Sequence, residues 1–251
     1  MASACNLVDQ ADPRLAPLAF GHLSLDERIE ALVGAVPGRK VLTTSFGLED
    51  QLLTHIIATR KLEVELVTID TGRLFPETYD LWADTEARYG RTIRAIHPRA
   101  GALEQLGQEI GANGFRYSVE ARVSCCGVRK VEPLARAIEG TALWLTGLRG
   151  DQSAARAVVD FVSWDEDRQL VKAAPLFDWK RPAVAAACRE RGVPTNPLHE
   201  EHFLSIGCQP CTRAVRRGED ERAGRWWWER EGARECGLHV GDDGRLVRAA
   251  K

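Results

Sequence analysis

Between residues 40 and 173, short apolar segments rich in β-branched residues alternate with amphipathic ones, and this alternation limits the fold more than any other feature of the chain. Residues 40–44, 64–69, 92–96 and 142–146 read as strands. Residues 51–60, 76–90 and 102–110 have helical spacing, with Pro76 suited to a first helical turn and Gly90 to a stop. A further helix covers 130–139 and begins as early as Cys125, with a kink at Pro133. Upstream, Ser24-Leu25-Asp26-Glu27 is a capping box in front of Leu25, Ile29, Leu32 and Val33, and Pro37-Gly38 ends that helix. Residues 158–164 and 169–173 flank Asp165-Glu166-Asp167 as an edge hairpin, and 179–191 is a last helix. Strands alternating with helices predict an α/β fold, a parallel Rossmann-like sheet with helices on both faces. The expected organisation is an N-terminal arm (1–22), an α/β domain (23–206) and a C-terminal segment (207–251) ending in a mobile tail.

Charge and cysteine usage narrow the function. With 34 basic and 36 acidic side chains the net charge is -2, so no global field attracts nucleic acid and any anion site is local. No apolar run reaches the roughly 20 residues of a membrane span, and the first residues lack a signal-peptide layout, so the expected location is cytoplasmic, with no membrane partner. Seven unevenly spaced cysteines in such a chain argue for metal ligation or thiol chemistry rather than a disulfide framework.

Two turns at strand ends point to a nucleotide. Ser45-Phe46-Gly47-Leu48-Glu49-Asp50 sits where a strand hands over to a helix, the place where open parallel sheets bind phosphates. Asp70-Thr71-Gly72 ends the next strand and would line the same crevice. After the fourth strand, Gly147-Leu148-Arg149-Gly150-Asp151-Gln152-Ser153 and Arg156 offer close backbone approach and forked guanidinium donors. Alone, each is equally an ordinary turn or a solvated loop.

The cysteines are more specific. Cys125-Cys126 is a vicinal pair, and Cys208-Gln209-Pro210-Cys211 a second clip; four thiolates in two pairs suit tetrahedral zinc or a four-iron cluster, and spacing does not choose between them. Beyond the clip come Arg222 and Arg225, then Trp226-Trp227-Trp228, which most simply anchor the segment by burial. Cys236, in Glu235-Cys236-Gly237-Leu238-His239, is a candidate nucleophile near the carboxyl end. Cys188, on an alanine-rich helix, reads as core filler.

Together these segments resemble the assimilatory sulfonucleotide reductases, and most closely the bacterial, thioredoxin-dependent, iron–sulfur adenylyl-sulfate (APS) reductases. The matching stretch runs from about Ser45 to His239. The vicinal pair with the later clip and the Glu-Cys-Gly-Leu-His tail carries most of the weight. The resemblance implies an adenine nucleotide α-hydrolase-like fold and a [4Fe-4S] cluster on Cys125, Cys126, Cys208 and Cys211. It implies phosphosulfate held by Lys130, Arg149, Arg222 and Arg225, with Ser45, Gly47, Asp70, Gly72 and His239 also at the substrate and Cys236 as the nucleophile. APS would be reduced to sulfite and AMP through an S-sulfocysteine, with thioredoxin or a glutaredoxin-like protein as reductant and a homo-oligomer possible. The alternatives are a PAPS or dual APS/PAPS reductase, an ATP-pyrophosphatase-type tRNA thiolation enzyme, and a zinc-stapled binding module without catalysis.

Overall fold

A computed structural model describes residues 22–153 and 156–229. Helix α1 (Leu25–Ala35) leads into β1 (Lys40–Thr44), α2 (Leu48–Thr59), β2 (Glu65–Ile69), α3 (Pro76–Tyr89), β3 (Arg94–Ile96) and α4 (Ala100–Ile110). A continuous helical stretch follows, made of α5 (Val119–Cys126), a wider π-type turn (Gly127–Val131) and α6 (Glu132–Ile138). After it come β4 (Leu143–Leu145), β5 (Val162–Asp165), β6 (Leu170–Ala173) and α7 (Arg181–Glu190).

The strands form one sheet in the order β3-β2-β1-β4-β6-β5. All neighbours are parallel except β5, which runs antiparallel to β6 at the edge, as the hairpin reading expects. A central parallel strand is covered on both faces, so its residues are apolar whichever way they point. Val41 and Leu42 of β1 illustrate this, since both are fully buried in different clusters. Val41 meets Val67, Trp144 and the α6 residues Leu134, Ala137 and Ile138. Leu42 joins the larger core beneath α1, α2 and α7, where Ile29, Ile56 and Val184 pack and Cys188 is the predicted filler. A third cluster holds Leu106, Phe115, Trp226 and the four cysteines of the two pairs.

Several boundaries differ from the sequence reading, among them that of β5, which begins at Val162 rather than at 158, and two of the shifts have a clear local reason. Helix α2 begins at Leu48, three residues early, because Gly47 serves as an extended N-cap and Glu49 and Asp50 suit the positive end of the helix. The helix carrying Cys125 and Cys126 begins at Val119, where Ser118 Oγ accepts the Ala121 N–H at 3.1 Å. Its wide turn lies just ahead of Pro133, whose ring and missing N–H disfavour a regular turn at that point. Among the described residues no helix is long and apolar enough to cross a membrane.

The capping box in front of α1 is present. Glu27 Oε2 accepts the Ser24 N–H at 2.8 Å, while Ser24 Oγ accepts the Glu27 N–H at 3.4 Å. Ser24→Ala is expected to cost about 1 kcal/mol of stability, read as a lower urea midpoint at unchanged slope.

Candidate active site

Strand order reverses between β1 and β4, so the loops leaving these strands part to opposite faces and open a crevice at their carboxyl ends. The turn after β1 forms one wall. Asp50 Oδ2 accepts from the Ser45 N–H at 2.7 Å and the Ser45 hydroxyl at 2.8 Å, closing the turn on itself. Phe46 takes a left-handed φ of 59°, a conformation more natural to glycine, and its ring is buried against Trp82 at 5.7 Å between centroids. Core burial offsets that backbone cost, which explains a phenylalanine in a turn that would ordinarily carry glycine. The loop after β4 presses on the same turn. A Cβ at Gly147 would overlap Asp50 Oδ1 and stand 2.9 Å from Glu49 Cβ, so only glycine fits.

Ser45, Gly47, Lys130, Arg156, Arg222 and Arg225 all line the crevice, bringing together residues from four separate stretches of chain. Arg225 lies flat against Gly207, where any Cβ would overlap the guanidinium. Asp70 and Gly72 are not lining residues; they shape the turn, with Asp70 Oδ1 accepting the Gly72 N–H and the Tyr79 hydroxyl at 2.8 Å each. Thr71 between them does line the crevice. Arg149 does not. Its side chain is wholly buried, with Nε donating to Glu49 at 2.7 Å, Nη2 to Glu221 at 2.7 and 3.0 Å, and Nη1 paired with Asp151. Cys236 and His239 lie outside the described residues.

Beside the crevice is a smaller pocket lined by Cys125, Cys126, Cys208 and Cys211 together with Arg73, Arg122, Arg129 and Phe115. Lys130 lines both cavities. The pairs meet because α5 delivers the vicinal cysteines while the Gln209 N–H donates to the Arg73 carbonyl at 2.8 Å, laying the later clip against the turn after β2. Thr71 Oγ1 is 3.3 Å from Cys208 Sγ. Burial pushes the Cys125 thiol up and takes Cys211 up to about 11. Cys208 is also pushed up by burial, but Lys130, the Thr71 hydroxyl, Arg225 and Arg129 outweigh it and hold the thiol below its ordinary value.

The donor set tests whether this pocket suits an anionic metal–sulfur group. Arg129 Nε and Trp226 Nε1 are buried without hydrogen-bond partners in the same region, and Trp226, 1% exposed, lies between Arg122 and Arg225, each 4.8 Å from its ring centroid. Four soft thiols, surrounding cations and orphaned N–H donors fit such a group. Among the described residues no three or more His, Cys, Asp or Glu are gathered as a ready-made site for one metal ion.

Sequence reasoning named Glu49 only as part of the turn after β1, and did not single out Glu221, Arg122 or Arg73. Only Arg122 left a local signal, standing four residues before Cys126 on one helix face. Nothing local tied Glu49 or Glu221 to Arg149, which lies 100 and 72 residues away from them.

Residues 39–214 match the phosphoadenosine phosphosulfate reductase domain family. An adenosine 5'-phosphosulfate reductase of Agrobacterium fabrum is 47% identical over 92% of this chain and 88% of its own length. One from Allochromatium vinosum is 48% identical over 79% of this chain and 78% of its own. Among solved structures, a phosphoadenylyl-sulfate reductase from Candida auris in complex with phosphate superposes with a TM-score of 0.67 at 28% identity, covering 79% of this chain and 93% of that one.

Asp50 supplies a pH test of this geometry. Burial pushes its pKa from 3.8 up to about 6, with the Ser45 hydrogen bonds and Arg156 pulling the other way. The folded chain therefore holds this proton more tightly than the unfolded one, and its relative stability is lost as pH rises from about 4 through about 6. Asp50→Asn should remove this loss. Unfolding free energies from urea titrations across that window are expected to diverge by an amount on the order of 2–3 kcal/mol, the variant gaining on the wild type as pH rises.

Proposed function

The chain belongs to the phosphoadenosine phosphosulfate reductase family, and from that membership we propose that it reduces APS to sulfite and AMP in sulfate assimilation, with a thioredoxin-type dithiol as electron donor. The observation that carries this reading is Lys130, which lines both the cation-rich crevice and the thiol pocket. The two cysteine pairs and the names of the relatives favour APS over its 3'-phosphorylated counterpart.

The substrate sulfur is ringed by oxygens that share negative charge, which opposes an approaching thiolate. Lys130, Arg156, Arg222 and Arg225 offset that repulsion and stabilise the charge that develops on the departing AMP phosphate. The N-terminus of α2, with Ser45 and Gly47 in front of it, receives phosphate oxygens. The Cys236 thiolate attacks the sulfuryl sulfur, the bond from that sulfur to the bridging oxygen breaks, and AMP leaves with the electron pair. A reductant thiolate then attacks Cys236 Sγ, and the bond to the sulfo group breaks with its electrons leaving on sulfite. The reductant's second thiol resolves the mixed disulfide, so the two electrons come from the dithiol.

Cys125, Cys126, Cys208 and Cys211 would hold a [4Fe-4S] cluster, which supplies charge and a structural tie rather than electrons. The cations around the pocket and the orphaned N–H donors of Arg129 and Trp226 support an anionic metal–sulfur group there.

The test is sulfite release from APS and from PAPS with reduced thioredoxin. Turnover with APS is expected, with Cys236→Ser lowering it by more than about a thousandfold while APS binding is kept; near wild-type activity in that variant would end the assignment. Anaerobically purified protein is expected to be brown and to contain iron and acid-labile sulfide. A colourless protein with one equivalent of zinc would contradict the cluster.

A further inference from the structure

Two carboxylates stand where an anion is to bind. Glu49, in the first turn of α2, and Glu221, next to Arg222, both line the crevice. Unopposed, they would cancel half of the charge that Lys130, Arg156, Arg222 and Arg225 bring to it. Both instead meet the buried guanidinium of Arg149, which stands behind the lining with 0% of its side chain exposed. Its Nε donates to Glu49 at 2.7 Å, and its Nη2 reaches both oxygens of Glu221 at 2.7 and 3.0 Å. Arg181 adds a weaker contact to Glu221 at 3.8 Å. Asp151 takes the remaining edge of Arg149 and is the most exposed of its three acidic partners. Every edge of the fork is therefore engaged by protein.

We infer that Arg149 is a positioning residue rather than a ligand of the phosphosulfate: it neutralises Glu49 and Glu221 and so ties the phosphate turn to the arginine-bearing segment. The chemistry is that of a buried ion triad, in which removing the central cation leaves two uncompensated charges. Here those charges would face the anion. Glu221 senses the balance already, because burial pushes its carboxyl up and Glu49 adds to that, while Arg149 draws it back only in part. The inference rests on the proposed APS reading, since it supposes an anionic substrate in this crevice.

A mutant cycle on APS affinity, measured by calorimetry with the full chain, separates the two roles. The first arm is the wild-type protein, and absence of APS binding there would defeat the functional reading itself, whatever Arg149 does. Given binding, Arg149→Met is expected to weaken it at least about tenfold, because both carboxylates are then left opposing the ligand. An unchanged affinity would overturn the inference. The second pair compares Glu49→Gln/Glu221→Gln with the same double variant also carrying Arg149→Met. Glu49 and Glu221 then carry no charge to leave unpaired, and Asp151 still pairs Arg149 in the double variant, so the comparison holds even if Arg149→Met alone does not fold. With nothing left for Arg149 to neutralise, the two chains are expected to bind APS within about threefold of each other. A tenfold loss in that neutral background would mean that Arg149 touches the anion or acts only through packing, and either result sinks the proposal.

Discussion

At β1 and β4 the sheet changes the direction in which strands are added, and the loops from these two strands are driven apart onto opposite faces. The gap so formed cannot be filled by the sheet's own helices. The N-terminus of α2 lines it, and the loop after β4 comes so close to the β1 turn that Gly147 has no room for a side chain beside Asp50. Phosphate chemistry belongs at such a gap because unpaired N–H groups and a helix dipole converge there without extra cost. The cations around the crevice add to a field that the backbone has already begun.

The thiol pocket depends on the crevice for its position. The turn after β2 is shared: Thr71 lines the crevice, its hydroxyl approaches Cys208, and its carbonyl accepts from Arg129 at 2.7 Å. Lys130 follows directly on the same wide helical turn. A charge held in the pocket and one held in the crevice would act on the same two residues. Trp226 packs in the cluster that holds the four cysteines, its backbone at a left-handed φ of 44° and its ring between two guanidinium groups. Strain of that kind persists only where packing over-determines a residue.

Much of this was legible in one dimension. Strand and helix periods, the Ser24 capping box, the edge hairpin and the core role of Cys188 follow from interactions between residues within one or two turns of each other, which sequence records directly. The pairing of Cys125-Cys126 with Cys208 and Cys211 was legible for a chemical reason, since few other uses exist for two such clips in one chain. Less legible were the surroundings of the thiols. Arg73 resembles any other surface arginine in the sequence, Arg122 shows only its helical spacing from Cys126, and the indole N–H of Trp226 gives no sign of standing without a partner.

Sequence alone settled the layering, the order of elements and the kinds of residue available for an anion and for thiol chemistry, because these follow from local periodicity and from side-chain type. Which cations meet the crevice was decided only in three dimensions. Arg149 and Arg156 occur in the same loop and have the same chemistry, yet one is wholly enclosed by carboxylates and the other lines the cavity. The difference arises from Glu49 and Glu221, brought from 100 residues before and 72 residues after Arg149. A buried guanidinium is stable only where opposite charges are delivered to it, and that delivery is a property of how the chain folds back on itself.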